Sequence, residues 1–188
     1  MSTSSERPDR DTYYMGIAMA VRRRADCRGQ KVGAIVVVDN RIVSTGYNGT
    51  TTKMQNCSDG GCYRCANRDR KYESGTAYDI CICVHAEQNV ILAAAKFGIS
   101  VQGGTVYSTT QPCFGCLKEM LQAGIVSVNY MHAWSGMRGQ DQALQYKMLL
   151  DSFPNGVHKL DVPDPDAEWA KAVPARAIVA DPHGIESA

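Results

Sequence analysis

The chain has 188 residues, of which 44% are hydrophobic and 21% charged, a balance that fits one soluble globular domain with a sizeable core. Its formal net charge of +1 gives no field for steering toward polymeric nucleic acid, and no apolar run is long enough to span a bilayer, so neither partner is expected. No charged segment leads into an apolar stretch at the N-terminus, and a cytoplasmic location is expected.

Residues 11 to 24 read as an amphipathic helix with Tyr14, Ile17, Ala18 and Val21 on one face. Its end, Arg22-Arg23-Arg24, reads as a solvated basic face able to touch one phosphate. Residues 32 to 38 form a short β-branched run, and residues 41 to 47 follow it after Asp39-Asn40, a dipeptide of hairpin type. A cysteine-rich insertion occupies residues 50 to 84; its middle is rich in Gly, Arg, Asp and Tyr and has too little apolar content to order itself. Good helix formers then run from Ala86 to a stop at Gly98. A strand over 105–109, a helix opened by Pro112 and ended at Gly124, a strand over 126–131, a helix over 139–152 and a short strand over 157–160 complete the order. This order predicts an α/β fold: a three-layer α/β/α sandwich around a mixed sheet of about five strands. Residues 161–188, dominated by Pro, Ala and Asp, are expected to be a mobile or loosely docked tail on a domain spanning 1–160.

The chemistry concentrates at two of the predicted helix starts. His85-Ala86-Glu87 opens one, and Pro112-Cys113-Phe114-Gly115-Cys116 opens the other. His85, Cys113 and Cys116 are three soft ligands, and a catalytic zinc takes three protein ligands and leaves the fourth position to water. Two helix N-termini beside one ion favour thiolates and bring a bound water's pKa to about 7. Glu87 is the group left out of the ligand set, and it is read as the proton shuttle. As a mere first-turn carboxylate it would contribute only a few tenths of a kcal/mol.

The chain has eight cysteines, too many for this site, and without a secretion signal disulfides are not expected. The other six, Cys27, Cys57, Cys62, Cys65, Cys81 and Cys83, are read as candidates for a second, structural zinc. Cys62-x-x-Cys65 and Cys81-x-Cys83, with fifteen residues between them, have a spacing close to that of a zinc knuckle. Such a zinc, bound with on the order of 10 kcal/mol, would order a segment that packing cannot.

His-x-Glu followed by Pro-Cys-x-x-Cys resembles the signature of zinc-dependent nucleobase deaminases. Together with Lys31-Val32-Gly33-Ala34-Ile35-Val36, Gly46-Tyr47-Asn48-Gly49, His85-Ala86-Glu87-Gln88-Asn89-Val90-Ile91 and Gln122-Ala123-Gly124-Ile125, it makes residues 11 to 160 similar to the deoxycytidylate (dCMP) deaminase family of the cytidine deaminase superfamily. The resemblance implies a cytidine-deaminase-like fold and hydrolytic deamination of a cytosine mononucleotide, dCMP to dUMP with ammonia released. The alternative is a modified cytosine nucleotide or another small amino-heterocycle. It further implies that Asn48, in a loop with Gly49, holds the sugar or the pyrimidine edge, with Asn89 nearby. Trp134 would offer a flat face to the nucleotide, and Arg24, Arg28 and Lys96 would supply cations for the phosphate. By resemblance, Cys27, Cys57 and Cys83 fall where some members bind a second zinc, an alternative to the knuckle. A homo-oligomer, commonly a hexamer built from dimers, is also implied. After Gly49 the chain reads Thr50-Thr51-Thr52-Lys53-Met54 where family members usually continue with Pro and Gly. This departure falls in the loop that shapes nucleotide and effector regions in regulated members.

Overall fold

The first helix, α1 (Arg10–Arg22), starts where the Asp9 carboxylate accepts the Thr12 N–H at 2.7 Å. The computed structural model describes residues 7–72, 76–134, 136 and 139–172. Strands β1 (Gly33–Val38) and β2 (Arg41–Tyr47) form an antiparallel hairpin. Asp39 and Asn40 between them have φ of 47° and 60°, the left-handed pair that the tightest hairpin turn requires. A two-residue ladder of β3 (Gly49–Thr50) with β4 (Cys83–Val84) closes the neck of the insertion, which contains a 3-10 turn at Cys57–Asp59 and a single-turn helix, α2 (Tyr63–Ala66). Then come α3 (Ala86–Lys96), β5 (Thr105–Thr110), α4 (Phe114–Gln122), β6 (Ser127–His132), α5 (Gly139–Asp151), β7 (Val157–Lys159) and α6 (Ala167–Ala170).

The main sheet has five strands in the order β2-β1-β5-β6-β7, antiparallel up to β5 and parallel from there on. It is the mixed sheet expected from the sequence. Side chains alternate across it: Ala34, Val36, Val106 and Val128 meet Val90, Ala94, Leu117, Met120 and Tyr146 from α3, α4 and α5. On the other face Ile35, Val37, Tyr107 and Met131 meet Tyr14, Met15 and Ala18 of α1. Burial on both faces explains why β1 is an unbroken apolar run instead of an alternating one. Gly46 lets α3 lie close on β2, because a Cβ there would run into the backbone of Ala86 and Val90. Among the described residues no helix is long and apolar enough to cross a membrane.

Residues 161–172, the start of the stretch read from the sequence as a mobile or loosely docked tail, are docked on the domain. Arg22 donates to both carboxylate oxygens of Asp164 at 2.8 and 2.6 Å, with side chains only 1% and 4% exposed. His132 Nε2 lies 2.7 Å from the same carboxylate. Arg23 pairs with Asp166, and the Lys31 N–H donates to the Ala170 carbonyl at 2.8 Å. Arg22 is thus buried, not part of a solvated basic face. An ion pair leaves no hydrophobic period to read, which is why the docking was invisible in the sequence. Residues 173–188 of the expected tail lie outside the described residues.

Asp164→Ala is expected to destabilise the fold by about 3–5 kcal/mol, because it strands a buried guanidinium whose Nε already has no partner. The Asp164 carboxyl is held well below its ordinary value, first by the Arg22 hydrogen bond and, against some burial, also by His132. Its contribution is therefore fully present above the unfolded value of about 3.9 and is lost as pH falls toward the folded value. Urea unfolding at several pH values checks this. A variant as stable as wild type near neutral pH would refute it.

Candidate active site

His85 is the N-cap of α3, and its orientation is fixed from within its own helix. The Gln88 side-chain oxygen accepts the His85 N–H at 3.0 Å, while the Gln88 amide donates to Glu119 of α4 at 3.0 Å. Cys113 is the N-cap of α4, and the buried Tyr146 of α5 donates its hydroxyl to the Pro112 carbonyl at 2.6 Å, pinning the entry to that helix. The two helix starts converge. His85 Nδ1 lies 3.4 Å from Cys113 Sγ and 3.4 Å from Cys116 Sγ, and the two sulfurs are 3.5 Å apart.

These separations suit zinc. With Zn–S of about 2.3 Å and Zn–N of about 2.0–2.1 Å, tetrahedral ligands stand roughly 3.5–3.8 Å from one another. The three groups also shift one another's protonation. A hydrogen bond with Cys116 is the main cause that brings the Cys113 thiol down to about 4, with burial opposing and His85 assisting. The same contact, with burial, pushes Cys116 well above the usual thiol range. Burial is the largest influence on His85 and would lower it, but the Cys113 hydrogen bond and the negative charge of Glu87, Cys113 and Cys81 together outweigh it and raise His85 to about 9. A divalent cation would displace those protons.

Glu87 stands outside this ligand set, 4% exposed. Burial is the main cause that pushes its carboxyl up to about 7, with the nearby His85 opposing. The Ser108 hydroxyl of β5 donates to Glu87 Oε1 at 3.3 Å. A carboxyl in that range can hold or give up a proton at neutral pH. It faces a cavity of about 330 Å³ whose wall includes His85, Glu87, Cys113, Asn48, Gln111 and Trp134, with Arg64, Arg68 and Tyr78 from the insertion and Lys171 from the docked C-terminal stretch. That volume is at the lower end of what small-molecule sites occupy, roughly 300–1,000 Å³.

The other sequence candidates divide between two places. Asn48 lies on the cavity wall, but its side chain already accepts the Val32 N–H and donates to the Gln30 carbonyl, each at 2.8 Å. It anchors the loop before β1. Trp134 lines the cavity with its ring against Tyr146, centroids 5.2 Å apart. Gly49, Asn89, Arg24, Arg28 and Lys96 line a second cleft instead. Within that cleft Asn89 donates to the Tyr47 carbonyl at 2.7 Å, and a Cβ on Gly49 would collide with the Asp26 carboxylate. Sequence reasoning missed Gln88, Ser108, Arg64, Arg68 and Lys171. Gln88 was recoverable as the N3 residue of a capping box, three positions after the N-cap; the others carry no local signature.

The six remaining cysteines come together beside this cavity, all as free thiols. They form two overlapping groups of four, Cys27, Cys57, Cys65 and Cys83, and Cys62, Cys65, Cys81 and Cys83. The knuckle read from spacing and the set implied by resemblance are both contained in the cluster.

Comparison with known proteins agrees with this geometry. Residues 8–132 match the family described as "Cytidine and deoxycytidylate deaminase zinc-binding region". The deoxycytidylate deaminase of Saccharomyces cerevisiae is 36% identical over 128 residues, covering 68% of this chain but 39% of that protein. That of Mycobacterium phage D29 is 38% identical over 131 residues, covering 66% of this chain and 95% of the phage protein. Among solved structures, the dCMP deaminase of cyanophage S-TIM5 in apo form superposes with a TM-score of 0.60 at 28% identity, covering 82% of this chain and 100% of that one. Its complex with dCMP and dUMP superposes with a TM-score of 0.59.

Proposed function

This chain belongs to the cytidine and deoxycytidylate deaminase zinc-binding family, and from that premise we propose that it hydrolyses a cytosine mononucleotide, dCMP, to dUMP and ammonia. The observation that carries the proposal is Glu87, buried on a nucleotide-sized cavity directly beside the His85, Cys113 and Cys116 trio. Those three residues would hold zinc, and the ion when bound supplies the Lewis acidity that makes water a nucleophile at neutral pH.

The chain's own groups perform the proton transfers. As a water oxygen bonds to C4 of the pyrimidine, Glu87 takes its proton and delivers it to the ring nitrogen N3. As the C4–N bond breaks, the same carboxyl carries a further proton to the departing amine, so that ammonia leaves and the 4-oxo ring remains. Ser108 keeps one carboxyl oxygen in place. Trp134 offers its ring as a wall for the base or ribose. Ammonia release from dCMP by zinc-loaded protein tests the reading, and its absence with every cytosine nucleotide would overturn it. The insertion residues Arg64, Arg68 and Tyr78 on the cavity wall favour one second reading, a modified cytosine nucleotide as substrate.

The cysteine-rich segment is assigned a metal of its own, apart from the catalytic one; the convergence of six free thiols supports this. Free thiols also fit a reducing compartment and thus the cytoplasm. The protein is further assigned a homo-oligomer. The exposed apolar side chains Leu92 and Phe97 at the end of α3, and Leu144 and Met148 one turn apart on α5, support association. Light scattering should give at least a dimer; a fully active, concentration-independent monomer would contradict it.

A further inference from the structure

The six cysteines, five in the insertion and Cys27 in the loop after α1, are more than one four-ligand site needs. Cys62 Sγ and Cys81 Sγ are 3.8 Å apart, Cys65 and Cys81 3.7 Å, and Cys65 and Cys83 3.9 Å. A disulfide would need about 2.05 Å. Thiolates on a tetrahedral zinc at about 2.3 Å stand roughly 3.8 Å from one another, so these separations are those of a tetrahedron's edges. In each of the two groups of four, all sulfurs lie within 4.8 Å of one another, and the groups share two members, Cys65 and Cys83. Two tetrahedra joined along a common edge have this composition: two shared corners, a pair of terminal corners at one end, Cys27 and Cys57, and a pair at the other, Cys62 and Cys81.

We propose that the insertion binds a binuclear zinc–thiolate cluster in which Cys65 and Cys83 each bridge the two ions. The proposal rests on the reading that the cysteine-rich segment holds metal, and it specifies two ions where that reading needs one. Six thiolates and two divalent ions leave two negative charges. The surroundings supply compensation. Arg64, 5% exposed, is held against the cluster side by bonds of 3.1 and 2.7 Å to the Thr76 carbonyl, with its guanidinium 4.9 Å from the Tyr78 ring. The Arg28 N–H donates to Cys57 Sγ at 3.3 Å, the type of contact that settles a metal-bound thiolate.

The cluster has a structural task that the rest of the segment leaves open. Among the described residues between β3 and β4 the helical structure is a 3-10 turn and one α-helical turn, too little to hold the segment by itself. The cysteines tie together the loop after α1, the insertion and the strand that leads directly into His85. Cys27, Cys65, Cys81 and Cys83 also line the catalytic cavity, so the cluster forms the back of its wall.

The test uses the intact zinc-loaded chain. Elemental analysis should give three zinc ions per chain, and the double variant Cys113→Ser/Cys116→Ser should retain two. The decisive measurement is proton–cadmium correlation on wild-type protein exchanged with cadmium-113. The Cβ protons of Cys65 and Cys83 should each correlate with the same two cadmium resonances, while those of Cys27 and Cys57 correlate with one and those of Cys62 and Cys81 with the other. Two zinc ions in all, with each cysteine coupled to a single cadmium, would overturn the bridged cluster and leave a single structural zinc standing. One zinc in all would remove both. Iron with acid-labile sulfide in place of zinc would likewise overturn the proposal.

Discussion

Glu87→Gln is expected to lower turnover by about 100- to 10,000-fold with zinc content unchanged. The substitution preserves shape and leaves an oxygen that can accept the Ser108 hydroxyl, which now meets Glu87 Oε1 at 3.3 Å. An amide cannot take up and return a proton near neutral pH, so the transfer to N3 and the one to the leaving amine both fail. A bland role for Glu87, as a first-turn carboxylate balancing the α3 dipole, would cost only a few tenths of a kcal/mol. Stability separates the two roles independently of rate. In metal-free protein burial pushes the carboxyl up to about 7, so its charged form is disfavoured in the fold, and there the neutral amide should melt at the same temperature as wild type or higher. Single-turnover deamination, elemental analysis and thermal melting together decide the matter. Activity within a few-fold of wild type, or loss of zinc, would remove Glu87 from the role of shuttle.

Where local pattern and tertiary need coincide, the sequence was easy to read. The β-branched run of β1, the Asp39-Asn40 turn and the helix formers after Ala86 each specify their element without help from elsewhere. The metal trio was legible for the same reason: His85 and the Cys113–Cys116 pair each sit at a helix start that its own neighbours define. The cations were harder to place. Arg24, Arg28 and Lys96 are near the family motifs along the chain, yet they line the second cleft, whereas Arg68 and Lys171 reach the cavity only because the insertion folds over it and the C-terminal stretch docks. At the insertion six thiols converge, and the C-terminal stretch is tied down by the Arg22–Asp164 pair, joined across 142 residues of chain. Neither contact produces a period or a short motif. Ser108 was hidden differently: it is a polar residue on a buried strand, and only the position of α3 above β5 reveals its partner.

That redistribution of cations sets up the substrate prediction. A monophosphate held by two charge-assisted hydrogen bonds, each about 1.5 to 3 kcal/mol, should give dCMP a kcat/KM at least about 100-fold above that of deoxycytidine. Arg64 is committed to Thr76 and Tyr78, which leaves Arg68 and Lys171 as the cavity cations with exposed partners. The exposed Lys171–Glu168 pair contributes at most about 1 kcal/mol, and the Arg68–Asp69 contact, 3.3 Å to a carboxylate at the surface, is a loose one, so exchanging either for a phosphate costs little. Arg68→Gln should therefore lower kcat/KM for dCMP by about 10- to 100-fold, the loss of one such bond, and leave deoxycytidine unchanged, which also shows that the fold survives. Arg28→Gln and Lys96→Gln should leave the ratio of the two substrates as it is. If they collapse the ratio and Arg68→Gln does not, the phosphate belongs in the second cleft. If deoxycytidine already matches dCMP in the wild-type enzyme, the mononucleotide assignment fails and the substrate is to be sought among other small amino-heterocycles.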